Sequence, residues 1–369
     1  MIKLLHISAN TYPLLNGKHH HTKNIWQELA KGFDEYHILA RNETNRYNYS
    51  KEGNIHLHLL PRLTKKSKIF FFTSFFMFWI IKKYKITHLL SQCPIVGGFT
   101  ATLASKCFRI PLMVEIHGEE YFRFLERKSF IVKIMKYTFG RAKKIRSLNS
   151  VMTEKLKHYN IDKNVVEIPN RVNLNIFNKP KRNFEISENI VKIISIGRFV
   201  WEKDYLNLVK VLNKSGIKYQ LILIGGGPLK KEYETYINEN SLQNNVTLID
   251  WIEQKDMIEM IINSDIYIQS SVSEGMPRTI LEAMALQMPI ISTNVGSIEG
   301  VLINGKNSLI INSTNQKELI EAIKKLIEDN SLREKIATQA YKDVVEKYEW
   351  NKVFELYKDE IKSMKYENS

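Results

Sequence analysis

The chain has 369 residues, with 54 Lys+Arg against 39 Asp+Glu for a net charge of +15, and only two cysteines, Cys93 and Cys107. That length suits two domains, each able to bury its own core, and two cysteines exclude a disulfide framework and point to a reducing compartment. The basic excess is uneven: residues 1–179 carry 30 basic and 12 acidic side chains, net +18, whereas residues 180–369 carry 24 and 27, net −3. The first half is therefore the part suited to an anionic partner, whether nucleic acid, membrane or an acidic acceptor.

The opening run MIKLLHISANTY is too short in apolar residues for a signal peptide and lacks a small-residue cleavage site, so it reads as a first strand. Further strands are expected near 36–40, 55–60, 87–91, 111–117, 143–149 and 165–169, with helices between most of them. Alternation of this kind predicts a parallel sheet. The polar, aperiodic segment 171–189 reads as a linker. Beyond it, strands near 191–197, 219–224, 246–251, 265–270, 289–294 and 308–311 again alternate with helices, and the tail from 316 to 365 is mostly helical. Two doubly wound α/β domains follow.

Two segments of the first half invite a membrane reading. Ile69 to Ile81 is an apolar run of 13 residues flanked by lysines on both sides, which is short of the roughly 20 residues a span requires and reads as a buried helix between strands. Tyr121 to Arg146 interleaves aromatic and aliphatic side chains with basic ones and ends in RAKKIR. Each basic residue near an anionic surface contributes about 1 kcal/mol, so Arg141, Lys143, Lys144 and Arg146 together suit reversible docking.

The chemistry concentrates in the second half. SEGMPRTILEAMALQMPIISTNVG, from Ser273, follows a strand and sets Glu274 in a loop and Glu282 in the helix after it, with Pro277 in the first helical turn. Free backbone N–H groups at such a helix start, near Gly275 and Met276, attract an anion such as a diphosphate, and acceptor-only carboxylates suit sugar or ribose hydroxyls. GRFVWEK, from Gly197, places Arg198 and Lys203 after another strand, where they would neutralise phosphates. Gly225, Gly226 and Gly227 follow the next strand and permit a close backbone approach. Trp251 ends a further strand and would border a nucleotide base or the core. In an open parallel sheet ligands bind beyond the carboxyl ends of the strands, and these residues share that edge. In the first half, His117 and Gly118 end the strand LMVEI in the same manner.

GRFVWEKDYLNLVKVL, LILIGGGPLKKEYE and SEGMPRTILEAMA resemble the GR-(four residues)-K segment, the glycine-rich turn and the E-x7-E motif of the donor domain of retaining glycosyltransferase family 4. VEIHGEEYF and EIPNRVN resemble its histidine-glycine pair and its proline-asparagine segment. The resemblance implies an α/β, GT-B fold of two Rossmann-like, doubly wound parallel-sheet domains facing a central cleft: an acceptor domain over 1–172, a nucleotide-sugar domain over 190–350, and a last helix, 351–369, crossing back. It implies His117, Arg198, Lys203 and Glu274 as catalytic residues. Donor contacts would come from Gly17, Gly197, Arg198, Lys203, Gly225, Gly226, Trp251, Glu274, Gly275, Met276, Pro277 and Glu282. The chain departs from the family in the 16–21 loop, where only Gly17 stands and His20 and His21 occupy the usual glycine positions; Arg171 and Asn173 replace the usual glycine and aspartate.

The activity so implied is transfer of a sugar, with retention, from a nucleoside diphosphate sugar (a UDP-sugar favoured) to a lipid-linked or cell-surface saccharide, as in lipopolysaccharide or capsule synthesis. A cytoplasmic enzyme, peripheral on the inner face of the membrane, is expected. No DxD motif occurs and His19 to His21 lack a nearby acidic or thiol partner, so no metal or other cofactor is expected. Nucleic acid is not expected as a partner, since charge permits it but no binding motif supports it. A sugar-nucleotide epimerase and a non-catalytic sugar-nucleotide sensor remain as alternatives.

Overall fold

The computed structural model describes residues 1–15, 22–63, 70–118, 120–126, 130–177, 182–186, 190–312 and 316–366. The chain divides into two compact units, Met1–Pro169 with Phe354–Ser369, and Asn170–Val353.

The first unit is built on an eight-stranded sheet. Its strands are β1 (Lys3–Tyr12), β2 (Glu35–Asn42), β3 (Asn48–Glu52), β4 (Ile55–Leu60), β5 (His88–Ser91), β6 (Leu112–Glu115), β7 (Lys144–Ser147) and β8 (Val165–Glu167), in the order β3-β4-β2-β1-β5-β6-β7-β8. All neighbours run parallel except β3, which pairs antiparallel with β4. The sequence reading missed β3: NYSKE is a half-exposed edge strand with no apolar alternation, so its pairing with β4, not its composition, makes it a strand.

The apolar run after residue 69 forms short helices over Phe70–Thr73, Ser74–Phe76 and Met77–Tyr84. Phe70, Met77, Ile80 and Ile81 are buried, but Phe72 is 71% exposed, Phe75 42% and Trp79 45%, so the segment is two-faced and not wholly buried. Phe71 stacks on Phe99 and Phe99 meets Tyr137. This aromatic chain links the segment to helix Phe130–Arg141, where Phe130 is 75% exposed beside exposed Lys133, Lys136 and Arg141. RAKKIR does not act as a block: Arg146 is buried against Glu115 and Lys144 pairs with Glu360. Two of the four expected surface cations are thus engaged internally. No helix among the described residues is long and apolar enough to cross a membrane.

The second unit holds six parallel strands, β9 (Val191–Ile196), β10 (Tyr219–Ile224), β11 (Val246–Ile249), β12 (Ile266–Gln269), β13 (Ile290–Thr293) and β14 (Leu309–Ile311), ordered β11-β10-β9-β12-β13-β14. VKIISI and IYIQ are buried along their length except at Lys192, as befits the central strands of a parallel sheet covered on both faces. The chain builds outward from β9 through β10 to β11, then returns to β12 and builds the other way. The order reverses between β9 and β12, the position at which open α/β sheets take their ligands.

Residues 171–189, expected as a linker, behave differently where they are described. Phe177 and Phe184 are buried, Arg182 donates to the Ile262 carbonyl at 3.2 Å, and Arg333 Nε donates to the Phe184 carbonyl at 2.9 Å. Side chains at wide intervals pin this stretch to the second unit, and that sparse anchoring is why it shows no periodicity.

Candidate active site

At the reversal point in the second unit, β9 is followed by Gly197, Arg198 and a 3-10 turn, Trp201–Lys203, while β12 is followed by Ser270, Ser271 and Glu274. The two loops meet in an ion pair: Lys203 Nζ lies 2.5 Å from Glu274 Oε1, with 14% and 11% of the side chains exposed. Gln269 Nε2 and Ser271 Oγ donate to the same oxygen at 2.7 and 2.6 Å, and Tyr267 OH donates to Gln269 Oε1 at 2.8 Å. Three donors on one carboxylate oxygen fix its orientation and leave Oε2 to receive another hydroxyl. Ser270 Oγ donates to the Lys203 carbonyl at 2.9 Å, tying the loops a second time.

The glycines follow from close packing. A Cβ on Gly197 would lie 2.7 Å from the Tyr205 hydroxyl and 2.9 Å from Lys203 Cε, so glycine lets both side chains close over the strand end. Gly225 has φ +145° and a Cβ there would lie 2.0 Å from the Gly197 carbonyl oxygen. Gly226 is open by contrast, its nearest neighbour being Trp251 at 3.7 Å. Trp251 is 60% exposed and stands two residues past β11, not at its end.

The loop from Glu274 to Pro277 is clamped from both sides. Asn170 Nδ2 donates to the Met276 carbonyl at 2.6 Å, and Ser297 N donates to the Gly275 carbonyl at 3.2 Å. Met276 is buried. Pro277 is extended, with ψ 127°, and occupies the N-cap position, not the first turn, of helix Arg278–Ala285. That helix has no side-chain cap, so its first N–H groups are open to an incoming anion. Glu282 is half-buried on it; burial raises its pKa and Arg278, one turn back, partly offsets the rise. Burial, then the charges of Glu274 and Glu282, push the buried Tyr267 hydroxyl up, so that hydroxyl feels both carboxylates. Arg198 is exposed and, among the described residues, has no ion-pair partner. A separate cavity of about 380 Å³, lined by Lys192, Gln220 and Ser264, lies at the amino ends of β9 and β10, the edge opposite this chemistry.

In the first unit His117 follows β6, its ring 38% exposed, with Nε2 3.1 Å from Glu115 Oε2. Arg146 donates to Glu115 Oε1 at 2.6 Å and Tyr357 donates to the same oxygen. Burial by itself would raise Glu115, but His117 and Arg146 outweigh it and hold the carboxyl well below its usual range. The result is a buried anion that orients the histidine ring. Gly17 lies outside the described residues.

Sequence reasoning missed Gln269, Ser271 and Asn170 as supports of the Glu274 loop, and Glu115, Arg146 and Tyr357 as supports of His117. Polar residues closing the apolar strand IYIQSS, and a glutamate two positions before His117 on the same strand face, were the available signals. Tyr357 lies 242 residues from Glu115 and carried none.

The sequence family described as "Glycosyl transferases group 1" matches residues 177–343, and that described as "Glycosyl transferase 4-like" matches residues 14–149. The chain belongs to the group 1 glycosyltransferases. It is 31% identical to Protein CapJ of Staphylococcus aureus over 74% of this chain and 70% of that one. It is also 31% identical to the Staphylococcus aureus capsular polysaccharide biosynthesis glycosyltransferase CapM over 48% of each. The solved structure of Anabaena HepE in complex with UDP-glucose superposes with a TM-score of 0.76 at 13% identity, over 99% of this chain and 100% of that one, a likeness of fold. The transferase has the GT-B fold, and Arg198, Lys203, Glu274 and Glu282 lie in the stretch that the group 1 family spans.

Proposed function

We propose that this glycosyltransferase moves a sugar, with retention, from a UDP-sugar to a hydroxyl of a lipid-linked or cell-surface saccharide. The observation that carries the donor half of this reading is the Lys203–Glu274 pair at the sheet reversal. Lys203 spends one of its three donors on Glu274, leaving two for a diphosphate oxygen, while Glu274 Oε2 faces the sugar hydroxyls. Arg198 and the uncapped helix start supply the remaining positive field as negative charge builds on the departing diphosphate, so the charge is met without a metal ion. Glu282 takes the ribose hydroxyls, Trp251 borders the base, and His117 contacts the donor sugar. HepE was solved with UDP-glucose, which favours uridine as the base; retention rests on the family resemblance.

Arg198 tests the assignment most cleanly, because it supports nothing else. Removing a hydrogen bond to a charged group costs about 1.5 to 3 kcal/mol, so Arg198→Ala is expected to weaken UDP binding by about tenfold or more in calorimetric titration, with its melting temperature unchanged. An affinity within twofold of wild type would remove the diphosphate assignment. UDP is expected to bind more tightly than GDP or ADP in the same titration.

The acceptor half rests on CapM, a capsular polysaccharide enzyme by its name, and on the first unit's surface. Exposed Phe72, Phe75, Trp79 and Phe130 stand among exposed Lys82, Lys83, Lys133 and Lys136, a combination that buries apolar rings at a lipid interface while cations meet anionic headgroups. The transferase accordingly works in the cytoplasm at the inner face of the membrane. Co-flotation with anionic liposomes is expected, weakened by salt and by Phe72→Ser with Trp79→Ser; equal flotation with neutral and anionic vesicles would count against this surface.

A further inference from the structure

A second cluster of chemistry lies in the first unit, away from the strand ends just described. Glu35 and His37 share one face of β2, His56 and His58 share one face of β4, and the register sets His37 beside His56. His37 and His58 are fully buried and His56 nearly so, in positions where aliphatic side chains would pack a sheet at lower cost. One metal-binding atom from each of Glu35, His37 and His56 falls within 4.8 Å of the other two. His37 Nε2 and Glu35 Oε2 are 3.0 Å apart, a few tenths of an ångström under the roughly 3.4 Å that separates two ligands of a tetrahedral zinc ion.

The surroundings of each ligand are already those of a metal site. His56 Nδ1 is 2.9 Å from Tyr49 OH; with its proton on Nδ1 and given to that oxygen, His56 presents Nε2, which has no hydrogen-bond partner among the described residues, to an ion. His37 Nδ1 is 3.1 Å from His58 Nε2, and His58 Nδ1 is 3.1 Å from Tyr47 OH. That chain lets His37 carry its proton on Nδ1 and present Nε2. Lys3 Nζ holds Glu35 Oε1 at 2.7 Å and leaves Oε2 for the ion. Ligating imidazoles are oriented in this way by partners on their second nitrogen.

We propose that Glu35, His37 and His56 bind one divalent transition-metal ion of the zinc class, with Tyr49 and His58 as positioning residues and water completing the shell. Two imidazoles and one carboxylate suit zinc or cobalt; calcium and magnesium require oxygen ligands. The ion takes the place of the His37–Glu35 contact, His37 carrying its proton on Nδ1, and staples β2 to β4 near the sheet edge.

The test uses tag-free full-length protein stripped of metal, with His19, His20 and His21 changed to Gln so that the titration reads the β2–β4 cluster alone. Zinc alone, titrated calorimetrically, is expected to bind one to one at micromolar or tighter affinity, and cobalt(II) is expected to give a visible absorption band. Tyr49 is part-exposed, so Tyr49→Phe should fold normally and weaken zinc by about 10- to 100-fold. Glu35→Gln should weaken it further. No zinc binding by the parent, or equal binding by parent, Tyr49→Phe and Glu35→Gln, overturns the proposal and leaves a histidine and tyrosine hydrogen-bond cluster in its place.

Discussion

Glu274→Ala is expected to lower sugar transfer by about two to three orders of magnitude, the range found when a preorganised polar group at a reacting centre is removed. The structure explains why the loss exceeds that of one contact. Lys203, Gln269 and Ser271 all donate to the Glu274 carboxylate, so truncation also removes the shared acceptor of three largely buried donors, of which Gln269 keeps Ser271 Oγ. Orphaned buried groups cost about 1 to 3 kcal/mol each, and the second unit should melt earlier. Glu274→Gln separates the two effects. The amide keeps the volume and one carbonyl acceptor, so stability should largely return, while transfer stays low because the charge that holds Lys203 is gone. Steady-state turnover with donor in excess, alongside melting curves, decides the matter: transfer within tenfold of wild type in both variants would remove Glu274 from the site.

The largest expected effect on stability is at Gly225. Its φ of +145° is one that residues with a Cβ rarely adopt, and the new carbon would lie 2.0 Å from the Gly197 carbonyl oxygen, inside any permitted contact. Gly225→Ala should therefore cost about 3 kcal/mol or more and displace the backbone that carries Arg198. Gly226→Ala is the control, since its Cβ meets only Trp251 at 3.7 Å, and it should cost less than about 1 kcal/mol. Urea unfolding followed by far-ultraviolet circular dichroism reads both. If Gly225→Ala unfolds at the same urea concentration as Gly226→Ala, the backbone contact between the β9 and β10 loops is not what the geometry indicates.

Much of the candidate site's local framework was legible in the sequence because its chemistry lies in short stretches. An apolar strand, a loop carrying Glu274 and a helix start carrying open N–H groups occupy one short stretch, and hydrophobic period and turn residues report such stretches directly. The same holds for Gly197, Arg198 and Lys203 after β9. What local pattern could not report was that Lys203 turns back onto Glu274, 71 residues further along. Nor could it report that the segment after residue 170 is held down by Arg182 and Arg333, or that NYSKE is a strand. Each depends on a partner distant in sequence.

The order of residue types along the chain was thus sufficient for the α/β class, the two doubly wound units and the list of candidate donor contacts, because burial and helix or strand period act over a few neighbours. Tertiary structure alone decided which of those contacts touch. Strand order sets which loops become neighbours, and the reversal between β9 and β12 brings an ammonium and a carboxylate from separate loops to a single hydrogen-bonded point.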